Sequence, residues 1–314
     1  HDQGPILYLG QAYSERRDPE HLPAETRWER AGEALRRIPA FLRSADSAFA
    51  FRVACATISV FIINLLAQTQ RFFVHQRLQW GLVMVAISMT PTAGQSIASF
   101  ALRIAGTVIA AVFSLLVWYI PDGHTPGVII FLFLYNATAF YIPVQKPHLL
   151  VMGLIGIVTT NLIVGYELEV KKIGLERAAA NGQVYYPIYL LAPYRLAVVA
   201  GGLAVAFIWT VFPFPISEHS VLRKNLGAAL YLLANYYSIM HETVTARARG
   251  DEGDMTLKTS AGRRLEKARH KVYTKMLLTI NSLHTYANFL KWEVHIGGRF
   301  PKRQYETIMA CMQK

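Results

Sequence analysis

Residues 80–120 read WGLVMVAISMTPTAGQSIASFALRIAGTVIAAVFSLLVWYI, from Trp80 to Ile120. Two apolar segments flank a tight polar turn that holds Thr90, Pro91, Thr92, Gly94, Gln95 and Ser96. Arg103 enters the second apolar segment and is followed by Gly106 and Thr107. It is the only charged residue in the stretch. A lone charge among small residues is costly in lipid and marks a candidate functional position.

The rest of the composition agrees with a membrane setting. Of 314 residues, 53% are hydrophobic and only 17% charged, too apolar for an ordinary soluble domain. The net charge of +12 is concentrated on the flanks of an apolar middle that runs over 49–213. Basic flanks beside spans face the cytoplasm and anionic lipid. No recognition motif accompanies the basic residues, so nucleic acid is not an expected partner. Cys55 and Cys311 are too far apart in character to suggest a disulfide framework or a cysteine zinc site. The chain opens without a signal peptide and stops at Lys314 inside a helical pattern, as a piece of a longer protein would.

Taken in order, residues 1–46 form an N-terminal segment, expected in the cytosol. A basic amphipathic helix starts near Pro23, with Trp28, Ala31, Ala34, Leu35 and Ile38 at helical spacing. Such a helix lies on a membrane surface. Six spans are expected within 47–215: 49–68, a second ending at Pro91, then 98–120, 126–143, 149–166 and 189–212. The second has only about 13 residues between Leu78 and Pro91, too few to cross a ~30 Å core at about 1.5 Å per residue. Either it starts earlier, around Phe72, or it is a short helix ending within the protein. Interrupted segments of this kind point to transport sites. Residues 167–187 read as a polar interruption containing a short helix.

Six spans put both termini on one side, and the Lys and Arg distribution orients that side to the cytosol. A weak repeat supports a two-unit membrane domain. LRIAGTVIA begins the third span and YRLAVVAGG the sixth, each with one arginine ahead of small residues. Residues 216–314 then read as a cytosolic helical bundle. Ser217 caps a long amphipathic helix with a seam through Leu222, Leu226, Ala229 and Leu233. A second helix carries Leu265, Ala268, Val272, Ile280 and Leu283 on one face, and a last one starts near Lys302. The fold class is therefore all-α.

The chemistry is read from what the spans carry. No phosphate-cradling glycine loop, zinc spacing or nucleophile elbow occurs, so the chain is not expected to be an enzyme or to need a cofactor. The charges expected inside spans are Arg52, Arg103 and Arg195, with no Asp or Glu among them. Buried positive charge without an acidic partner calls for an anion, carbonyls or water. Snorkelling of these arginines toward the headgroups is the competing explanation.

Trp80, Thr90–Gly94, Ser96, Arg103 and Gly106-Thr107 together resemble the signature of the fusaric acid resistance protein-like family, which includes aromatic acid exporters and aluminium-activated malate transporters. The runs SMTPTAGQS, WYIPDGHTPGVI, VGYELEVKKIG, YYPIYLLAPYR and FPISEHS are similar to the C-terminal half of fungal brefeldin A-sensitivity-related transporters of the endoplasmic reticulum. The resemblance implies six spans with a cytosolic helical domain. It also implies an organic anion substrate, aromatic or dicarboxylic, on a pathway lined by Arg103 and Arg195. Trp80, Thr90, Ser96 and Thr107 complete the expected binding set. A homodimer, or pairing with a second six-span half, and residence in the endoplasmic reticulum or another endomembrane are implied as well. The alternative function is a non-transporting scaffold that presents its helical bundle to protein partners.

Overall fold

The computed structural model describes residues 26–28, 32, 41, 44–180, 182–212, 215–251, 253, 260–293 and 301–313. Nearly all of the expected N-terminal amphipathic helix lies outside them, as do Asn181, Pro213, Phe214 and Gly297-Gly298. Every regular element among the described residues is helical. The chain divides into two compact units, one of which is Ala40–Pro215 and the other of which includes Ile216–Lys314.

The first unit begins with α1, Ala45–Leu65, whose N-cap Ser44 accepts a hydrogen bond from the Ser47 amide. Two short helices follow, α2 at Gln70–His75 and α3 at Gln79–Ser88. Arg77 stands between them at φ 53°, a left-handed conformation that no continuing helix accepts. The expected second span is therefore a broken one. Its longer piece is ten residues, about 15 Å of rise. Met89 is extended and Thr92 caps α4, Ala93–Tyr119. A turn with Asp122 and Gly123 at positive φ leads to α5, Thr125–Gln145. A single 3-10 turn, Pro147–Leu149, joins it to α6, Leu150–Ile173.

The length of α6 corrects the expected end of the fifth span. Its helix runs past 166 to Ile173 and takes Glu167 and Glu169 with it. Helical hydrogen bonding continues through those polar residues until Gly174, at φ 86°, ends it. After the four-residue α7, Leu175–Ala178, residues 183–187, which have no regular structure, lead into α8, Ile188–Val211. Among the described residues, five helices are long and apolar enough to cross a membrane: α1, α4, α5, α6 with its preceding turn, and α8. The short α3 is apolar but is not among them.

Close backbone approach organises this bundle. A Cβ on Gly202 of α8 would stand 2.7 Å from the Gly81 carbonyl oxygen of α3, and one on Gly106 of α4 would stand 2.5 Å from that of Met152 on α6. Small residues let membrane helices pack this way without a hydrophobic driving force. Polar bonds add to the packing. Asn136 and Asn161 exchange side-chain hydrogen bonds at 3.2 and 3.4 Å between α5 and α6. Arg52 Nη1 donates to the Thr210 carbonyl at 3.5 Å, linking the start of α1 to the end of α8. Toward the other end, Lys171 Nζ donates to the Gly123 carbonyl at 2.7 Å.

In the second unit, α9 spans Glu218–Arg249, capped by Ser217 and ended by Gly250 in the left-handed conformation. α10 spans Ala261–Phe289, and α11 spans Lys302–Gln313. Leu222, Leu226 and Ala229 of α9 pack on Leu283 and Ala287 of α10. Leu232, Ile239 and Ala246 pack on Leu265, Ala268 and Val272, which makes the pair antiparallel.

Candidate functional site

Short α3 carries an arginine at each end, and the two do different things. At its C-terminal end, Arg103 of α4 donates from Nη2 to the Ile87 carbonyl at 2.8 Å and from Nε to Ser99 Oγ at 3.3 Å. Nη1 lies 3.9 Å from Met84 Sδ. The last carbonyls of a helix have no intrahelical donor and carry its negative dipole end, so a guanidinium there satisfies both. Near the other end, Arg195 of α8 is only 6% exposed and stacks on Trp80, with Cζ 3.9 Å from the ring centroid. Among the described residues no hydrogen bond or ion pair to the Arg195 guanidinium occurs.

A third arginine joins this group. Arg77, at the break between α2 and α3, places Cζ 4.1 Å over the Tyr166 ring of α6. Its Nε and Nη1 are buried with no hydrogen-bond partner among the described residues. Arg77 and Arg195 are near enough for their charges to repel, and Tyr166 acts on both. Two cations held together with unused donors is an arrangement that an anion would relieve.

Arg77, Trp80 and Tyr166 line a cavity of about 480 Å³, together with Phe61, Phe73, Asn64, Gln79 and Gln183. No acid is among the residues that line it. Its size and its mixture of aromatic faces, amides and one cation suit a small organic anion. A second, much smaller cavity of about 20 Å³ is lined by Arg77, Tyr166, Glu167, Glu169, Tyr185 and Tyr186 among others. There the Tyr185 hydroxyl donates to Glu167 Oε1 at 2.8 Å. Burial first, and that hydrogen bond second, push the Tyr185 hydroxyl up to about 12.

The expected binding set thus divides. Trp80 and Arg195 touch one another, whereas Arg103 lies at the opposite end of α3. Thr90, Ser96 and Thr107 have structural tasks. Thr90 N donates to Ser96 Oγ at 3.0 Å, the two hydroxyls are 2.8 Å apart, and Ser96 Oγ also reaches the Thr92 carbonyl at 2.9 Å. Thr107 is fully buried and donates back to the Arg103 carbonyl at 2.8 Å. Arg77 and Tyr166 were not in the expected binding set. The signal that was available was the crowding of Gln76, Arg77, Gln79 and Trp80 just ahead of a segment too short to span.

A bundle with five helices, among the described residues, long and apolar enough to cross a membrane marks a multi-pass membrane protein. Residues 58–209 match the fusaric acid resistance protein-like family, and residues 217–314 match the Brefeldin A-sensitivity protein 4-like domain. It is also similar to an uncharacterized protein of Schizosaccharomyces pombe, with 21% identity over 306 residues. The match takes in 96% of this chain and 21% of that relative, so the chain spans about a fifth of the relative's length.

Proposed function

We propose that the membrane unit moves small organic anions, and that the anion is held by Arg77 beside Trp80 and Tyr166, with Arg195, stacked on Trp80, adding positive charge. The single observation that carries this reading is the Arg77 guanidinium, whose two buried donors lack partners at the wall of an acid-free cavity. Aromatic carboxylates suit the site best, because Phe61, Phe73, Trp80 and Tyr166 supply ring faces around one cation. The role first expected for Arg103, as a lining residue, passes in this reading to Arg77.

In the same reading α2 and α3 together make the sixth crossing. Two links support it: Arg52 with Thr210 joins the start of α1 to the end of α8, while Arg77 meets Tyr166 near the far end of α6. Both termini then face the cytosol, with the helical domain there and the protein in an endomembrane, in keeping with the Brefeldin A-sensitivity protein 4-like match. No catalysis and no cofactor enter this reading.

A scaffold function has one observation in its favour. Tyr237 and Val244 on the outer side of α9 are 73% and 64% exposed, a surface that a protein partner could cover. Flux separates the two. Proteoliposomes carrying the full-length protein should take up benzenesulfonate, and Arg77→Ala or Arg195→Ala should lower uptake at least tenfold while protein incorporation stays level. Uptake by both variants equal to wild type would sink the site, and no uptake of any organic anion by wild type would favour the scaffold.

A further inference from the structure

We propose that Glu167 carries a proton in step with the anion, which makes the membrane unit a proton–anion symporter; this rests on the transport reading above. Glu167 lies on α6 directly after Tyr166, the ring beneath Arg77. Its Oε1 accepts from Tyr185, while Oε2 is buried without a partner among the described residues. Arg77 lines the same small cavity and has unused donors of its own, yet no ion pair joins the two. A partly buried carboxyl and a partly buried guanidinium thus stand on one cavity, each with buried polar atoms that have no partner among the described residues and neither bonded to the other.

The position of Arg77 explains why this matters. It lines both the 480 Å³ cavity and the 20 Å³ one, and no other Lys or Arg among the described residues lines either. A substrate carboxylate or sulfonate reaches it from the larger cavity, and Glu167 from the smaller. In a medium of low dielectric, two anions sharing one guanidinium repel strongly. A proton on Glu167 Oε2 removes that repulsion. Anion entry therefore draws a proton from the bulk on the side of entry, forming the O–H bond. Anion departure leaves Arg77 open to Glu167, which then releases the proton to the bulk on the side of exit. One proton moves with each monovalent anion, in the same direction.

The surroundings leave Glu167 as the group suited to the task. The other titratable groups about it are Tyr166 and Glu169 on α6, Tyr185 and Tyr186 ahead of α8, Tyr189 on α8, and Tyr119 at the end of α4. Glu169 is exposed. Tyr185, held up to about 12, remains a hydrogen-bond donor at every working pH and fixes the carboxylate without exchanging its own proton. The small cavity has room for about one water, enough to hand a proton to Oε2.

The test uses full-length protein in proteoliposomes, with membrane voltage clamped and benzenesulfonate as the probe, because a sulfonate stays ionised and brings no proton. With acid outside, wild type should accumulate the probe about tenfold per pH unit. Glu167→Gln should abolish accumulation but retain counterflow exchange of the probe, and Glu167→Asp should restore part of the accumulation. Wild-type counterflow with no accumulation would overturn the coupling and leave the transport reading intact. Accumulation that persists in Glu167→Gln would overturn the assignment of the carrier. Absence of counterflow in wild type would overturn the transport reading and this inference with it.

Discussion

Arg103 reaches from α4 to the last turn of α3, where its Nη2 donates to the Ile87 carbonyl at 2.8 Å. That bond connects the lone charge of the apolar hairpin to the exposed end of a half-length helix. The last carbonyls of a helix lack an intrahelical donor, and the guanidinium supplies one here. The arginine is 7% exposed, and its charge is used inside the protein.

Replacing that donor should therefore affect assembly before transport. Arg103→Leu leaves the Ile87 carbonyl unpaired and should cost about 1–3 kcal/mol. Arg103→Lys, which keeps a donor, should cost less. Thermal unfolding in detergent, followed by size-exclusion chromatography of purified variants, reads the difference. An Arg103→Leu variant as stable as wild type would remove the clamp role.

Adjacent glycines on α8 should respond in opposite ways. A Cβ on Gly202 would meet the Gly81 carbonyl oxygen at 2.7 Å, and backbone on both sides leaves little room to yield. Gly202→Ala should destabilise by about 1–3 kcal/mol. A Cβ on Gly201 meets nothing within 4 Å. Gly201→Ala should be neutral or stabilising by up to about 1 kcal/mol, through helix propensity. The same unfolding assay ranks them, and equal effects would contradict the close approach. Gly106→Leu should fail to assemble altogether, since even a Cβ there meets the Met152 carbonyl oxygen at 2.5 Å.

The reciprocal bond between Asn136 and Asn161 should behave as a pair. Asn136→Leu alone strands the Asn161 amide and should cost about 0.6–1.7 kcal/mol. Asn136→Leu with Asn161→Leu removes both polar groups and should recover most of that loss. A double-mutant cycle measures the coupling. Additive losses from the two single changes would mean that the amides do not act on each other.

Tyr185 makes a pH prediction. Its hydroxyl is neutral when protonated and is held up to about 12 in the folded protein, above the ordinary value of about 10. The folded state thus favours the protonated form. That contribution is complete below about pH 10 and is lost as pH rises from there through about 12. Melting temperature in detergent should fall over this window in wild type, and less steeply in Tyr185→Phe. Parallel alkaline slopes would contradict the assignment.

How far the sequence could be read depends on the range of the interactions. Helix ends marked by local chemistry were legible, as with Ser217 capping α9 and Lys302 opening α11, because capping needs only neighbouring residues. The break at Arg77 was half legible: the shortage of apolar residues before Pro91 showed, but a positive φ at an arginine has no compositional mark. The continuation of α6 through Glu167 was hidden, since two acids in an apolar helix look like its end until Tyr185 is seen donating to one of them. The candidate site was legible in part: Trp80 and Arg195 were named in the expected set, but their contact was not. Trp80 and Arg195 are 115 positions apart in the chain, and only the packing of α3 on α8 brings the ring beneath the guanidinium. Thr90 and Ser96 misled in the other direction, because hydroxyls that close a turn look like hydroxyls waiting for a solute.

The near-touching of Gly81 and Gly202 has a mechanical meaning. Two helices fitted so closely, backbone to backbone, travel as one plank, and Trp80 and Arg195 ride on it together. Tyr166 and Glu167 ride on α6, with Arg77 as the knuckle between. Under the transport reading proposed above, a rocking bundle would part between Trp80 and Tyr166, and a solute bound across that line would be the clasp that holds the two planks shut.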